Sequence, residues 1–85
     1  MPEISRFYGI IIAIFYNDHK PPHFHAYYGE KSGLVEIKSR KITGNLSRRT
    51  KKLVLEWLEI NSEEILENWQ LVQIKKPLKK IKPLE

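Results

Sequence analysis

The side chains best able to do chemistry sit in one short stretch, NDHKPPHFHAYY, from Asn17 to Tyr28. It holds every histidine of the chain, His19, His23 and His25, with Asp18 directly before the first. Imidazole nitrogens and a carboxylate oxygen are the donor set that a divalent ion such as zinc takes, in groups of three or four. Asp18, His19, His23 and His25 are therefore candidate metal ligands. Without a metal, His23 and His25 are candidates for proton transfer near neutral pH, with Tyr27 or a lysine as the donor. A third reading stays open, in which the rings cap loop carbonyls and stack on Tyr16 and Tyr27. The spacing H-x3-H-x-H is not one of the diagnostic zinc patterns.

These residues need a frame. Pro21 and Pro22 fix two φ angles and offer no backbone N–H, so Asp18 to Pro22 reads as a stiff loop. HFHAYY then has strand composition, with His23, His25 and Tyr27 on one face and Phe24, Ala26 and Tyr28 on the other. Before the loop, FYGIIIAIFY (Phe7–Tyr16) reads as a strand that is apolar on both faces. Such a strand is covered on both, by helices on one side and a partner subunit on the other. The loop is short enough to make the two strands a hairpin. Gly29 to Gly33 reads as a turn, Leu34 to Lys38 as a third strand, and Lys41 to Thr43 as a short edge strand.

Ser47 is a good N-cap, and Leu53, Val54, Trp57 and Leu58 recur at one-face spacing, which predicts a helix to about Ile60. Asn61-Ser62 reads as an interruption. Ser62 would cap a second helix with Ile65, Leu66, Trp69 and Val72 inward; one bent helix to about Gln73 is the alternative. In the tail PLKKIKPLE, Leu78, Ile81 and Leu84 recur every three residues, as an extended segment laid on an apolar groove would require. The expected fold is α+β: one domain over residues 1–85, with a three- or four-stranded antiparallel meander over about 6–43. Two helices over about 47–74 pack on one face, and an extended tail covers 75–85.

Composition narrows the function. The chain is 41% hydrophobic and 11% aromatic, which argues against disorder, and it has no cysteine for a disulfide or thiolate site. The apolar run Ile10–Phe15 is too short to span a membrane and no leader pattern is evident, which predicts a soluble cytoplasmic protein without a membrane partner. The net charge of +5 is unevenly laid out. Residues 31–52 carry +7, residues 53–68 carry −5 and residues 69–85 carry +4. Arg48, Arg49, Lys51 and Lys52 crowd the start of the first helix, where the macrodipole disfavours cations. Cations beside free N–H groups suit an anion, so these four are candidate binders of nucleic-acid or other phosphate. Pro2 as an N-terminal nucleophile finds no supporting constellation. G-x-S-x-G, H-E-x-x-H and glycine-rich phosphate loops are missing.

PEISRFYGIIIAIFYNDHKPPHFHAYYGE, SRRTKKLVLEWLEINSEEILENW and KPLKKIKPL together resemble a widespread bacterial family of small domains of unknown function. NDHKPPHFH is the most specific part. The resemblance implies a small protein partner encoded nearby, in an arrangement similar to type II toxin–antitoxin pairs. The expectation is a toxin–antitoxin-type component that binds this partner and RNA, with the histidines as its working site. The alternatives are a non-catalytic binding module with structural or metal-holding histidines, and a metal-dependent hydrolase. Homo-oligomers are expected through the first strand or the tail.

Overall fold

The first apolar run folds back on itself. In a computed structural model, which describes residues 3–16 and 18–85, Tyr8 and Gly9 take positive φ angles of 49° and 80°. They form a two-residue hairpin turn between β1 (Glu3–Phe7) and β2 (Ile10–Ala13). Positive φ at both central residues matches the right-handed twist of the flanking strands, and Gly9 adopts it without a Cβ penalty. The single strand expected over Phe7–Tyr16 is thus two strands, and the sheet begins before the expected position 6. Pro2 lies outside the described residues.

β3 (His23–Tyr28), β4 (Lys31–Glu36) and β5 (Ile42–Gly44) complete a five-stranded antiparallel meander in the order β1-β2-β3-β4-β5. Tyr28 pairs with Lys31, so only Gly29 and Glu30 make the third turn. The turn expected over Gly29–Gly33 is therefore shorter. Gly33 lies inside β4, where an added Cβ would sit 2.8 Å from Leu46 Cδ1. The strand needs a glycine there because Leu46 packs onto its backbone.

One helix, α1 (Arg48–Gln73), covers one face of the sheet. Ser47 caps it, its hydroxyl accepting from the Thr50 amide at 3.2 Å. The expected pair of helices is a correction: the chain stays helical through Ser62 and breaks only locally at Asn61 (φ −115°, ψ 21°). Asn61 is buried and its Nδ2 donates to the Trp57 carbonyl at 3.0 Å. That in-helix bond lets α1 bend without Ser62 starting a new helix.

Ile4, Ile10, Ile12, Phe24 and Val35 from the sheet meet Val54, Trp57, Leu58 and Ile65 from α1. Trp57 is the centre of this layer, with ring centroids 5.6 Å from both Phe7 and Phe24. Residues 78–84 run extended beside α1 and β1, with Ile81 in the core and Leu78 and Leu84 packed against it. Fully buried Asn68 accepts from the Lys79 amide and donates to the Lys79 carbonyl, both at 2.9 Å. Trp57 Nε1 donates to the Lys82 carbonyl, and the Ile81 amide donates to the Ile4 carbonyl. The tail is a third layer in the packing.

Candidate metal centre

β3 sends Phe24 and Ala26 into the core, and this alternation turns His23 and His25 to the opposite face. The loop after β2 then brings Asp18 back over them, with its amide on the Phe15 carbonyl at 3.3 Å. One carboxylate oxygen, Oδ2, lies 3.2 Å from His23 Nε2 and 3.2 Å from His25 Nε2. The three donor atoms all fall within 4.8 Å of one another.

The far nitrogen of His23 decides what this triad needs. Nδ1 is 2.8 Å from the Pro21 carbonyl oxygen, which can only accept, so Nδ1 carries a proton. In the neutral ring, Nε2 is then the unprotonated nitrogen, and it lies 3.2 Å from the Asp18 carboxylate oxygen. A cation between that nitrogen and the carboxylate oxygen would relieve their close approach. A tetrahedral ion with ligand bonds of about 2.0–2.1 Å holds its ligand atoms about 3.3 Å apart. The two separations from Asp18 Oδ2, both 3.2 Å, match that spacing. A ligating imidazole with its other nitrogen on a backbone carbonyl is the usual outer-shell arrangement of metal sites.

The surroundings are uneven. His23 is 7% exposed, its ring 5.2 Å from that of Trp69 on α1. The side chains of His25 and Asp18 are 23% and 22% exposed, so the triad opens to solvent on their side. Phe15 meets His25 edge-on at 4.7 Å, and Tyr27 stacks beside His25 at 6.4 Å. Tyr27 is one step along the same face, outside the donor cluster. His19, also expected as a ligand, is exposed and does not join the cluster.

The four cations expected at a phosphate site are elsewhere. Arg48 lies 21 residues before Trp69, which is about 30 Å along a helix. Arg48, Lys51 and Lys52 line a shallow groove of about 700 Å³ with Leu55 and Ile60, and Arg49 does not. Glu56 and Glu59 share that groove, so it has an acidic as well as a basic end. The sequence reading missed this stripe, although its three- and four-residue spacing is legible. It also missed Trp69 and the Pro21 carbonyl as supports of His23; contacts between distant elements leave no local pattern.

A family model for a domain of unknown function, DUF4160, matches residues 9–70. The chain belongs to the DUF4160 family. The match takes in both the triad and all of α1 but its last three residues. No curated protein and no solved structure matches the chain. Among the described residues, no helix is long and apolar enough to cross a membrane.

Proposed function

We propose that this DUF4160 domain binds a divalent transition-metal ion, zinc first, through Asp18 Oδ2, His23 Nε2 and His25 Nε2. The observation that carries the proposal is the aspartate oxygen facing two imidazole nitrogens at 3.2 Å, one of them a lone pair in the neutral ring. Three protein ligands leave a fourth position for water, and a zinc-bound water ionises at pH about 7. The half-exposed side of the triad would admit a substrate there. The domain is then a metal-dependent hydrolytic component, and RNA phosphodiesters are the substrate class that its net charge of +5 supports. A toxin–antitoxin-type role with a small protein partner is part of this proposal and rests on the sequence resemblance described above.

A second reading is favoured by the burial of His23 against Trp69. In that reading the triad is structural, with His25 hydrogen-bonded to Asp18 and His23 to the Pro21 carbonyl, and the domain is a binding module. Calorimetric titration of metal-free protein with zinc separates the two. The metal reading expects one site per chain with submicromolar affinity. It also expects cobalt(II) to give the intense visible bands of a tetrahedral centre. No heat and no tetrahedral spectrum would leave the binding module.

A further inference from the structure

The charge blocks along α1 are not accounted for by the triad. Arg48, Lys51 and Lys52 lie at one end of the exposed groove, Glu56 and Glu59 at the other, with Leu55 and Ile60 among them. Ile60 is 71% exposed, the most open of the large apolar side chains described. Among the described residues Arg48, Lys51, Lys52 and Glu56 form no ion pair, and Glu59 reaches only Arg40 at 3.3 Å. A polyanion would meet the carboxylates of the same groove, so phosphate is a poor occupant. A surface that is basic at one end and acidic at the other complements itself when turned end for end.

We infer that the outer face of α1 is a docking surface for a second copy of this chain, the two helices antiparallel about a two-fold axis. With the axis between Leu55 and Glu56, Lys52 falls opposite the partner copy's Glu59 and Lys51 opposite Ile60. Both pairings come from a single register. Each is made twice, because the surface is the same on both copies. The Lys51 stem lies along the Ile60 side chain, removing an exposed apolar group from water. This surface is independent of the triad and does not rest on the metal proposal.

Sedimentation equilibrium from about 10 to about 500 µM tests it, in about 50 mM salt and again in about 500 mM, where exposed charges are screened. The expected result is a dimer at low salt that dissociates at high salt. Lys52→Glu alone and Glu59→Lys alone each set like charges opposite one another and weaken association at least tenfold. Mixing the two variants restores it, because each reversed residue then faces an opposite charge on the other chain. Ile60→Lys, which sets a cation opposite Lys51, weakens it as well. These positions are exposed, and melting temperatures within about 2 °C of the parent verify folding. A monomer throughout, a dimer indifferent to Lys52→Glu, or a mixture that fails to recover would each overturn the inference.

Discussion

The histidine end of the sheet and the outer face of α1 both concentrate charge, yet they use it in opposite ways. At the sheet end, one carboxylate and two imidazoles converge within 4.8 Å, half-shielded by Phe15 and Trp69. On the helix, charges of both signs spread along a solvated stripe, and the pairs that do form are exposed ones such as Arg40–Glu59. Exposed pairs contribute about 0–1 kcal/mol, whereas partly buried groups of like polarity face a real desolvation cost unless a cation or proton joins them. Convergence under partial burial creates a demand for a ligand; dispersal in water creates only a preference for a partner.

The largest effect expected from breaking this contrast is on zinc. Asp18→Asn and His25→Ala should each weaken zinc binding at least 100-fold by calorimetry, because two ligands hold the ion far less well than three. His19→Ala should leave the affinity within about threefold, since that ring is outside the cluster. Zinc at about 100 times its dissociation constant should stabilise the parent by about 2.7 kcal/mol, and at the same concentration the Asp18→Asn variant by at most about 0.4 kcal/mol.

Next in size, His23→Gln and His25→Gln divide the sheet end itself. His23 is packed on Trp69 and bonded to Pro21, so the metal-free variant should lose about 1–3 kcal/mol, or about 4–8 °C of melting temperature per kcal/mol. His25 is more open, with its one hydrogen bond to Asp18 on the solvent side, and its replacement should cost less than that of His23. Equal shifts for the two would remove the asymmetry described for the site.

Much of this was legible in the chain, for identifiable reasons. The alternation HFHAYY put the histidines and Phe24–Ala26 on opposite faces, because a strand has a period of two whatever its neighbours. Ser47 as N-cap and the one-face spacing of Val54, Trp57 and Leu58 fixed where α1 begins and which side it buries. The hairpin at Tyr8-Gly9 escaped because a continuous apolar run hides a turn whose only local mark is one glycine. Asn61 looked like a helix boundary by composition, and its bond to the Trp57 carbonyl, made inside the helix, has no sequence signature. Asp18 and His19 are indistinguishable as candidates by spacing. Only the path of the loop brings the first over β3 and turns the second to solvent.

The smallest expected effect has the opposite sign. Ser5 Oγ is buried and has no hydrogen-bond partner, in contrast to the Asp18–His23–His25 end, where each residue faces another polar group. Ser5→Ala should therefore raise stability by about 0.5–1 kcal/mol, read as a small upward shift in the chemical-denaturation midpoint. A loss of stability would mean that the hydroxyl has a partner in solution.

The seating of residues 78–84 also bears on how the molecule behaves as a concentrated solute. Open sheet edges are templates on which further chains add as strands, the first step towards fibrils. Here the Ile81 amide already occupies the Ile4 carbonyl on β1, and the other edge, β5, is three residues long and ends in glycine. Neither edge offers a long row of free backbone groups. In the proposed dimer, contacts between copies would then run through side chains on the helix, which release when salt is added, and not through backbone ladders, which lock irreversibly.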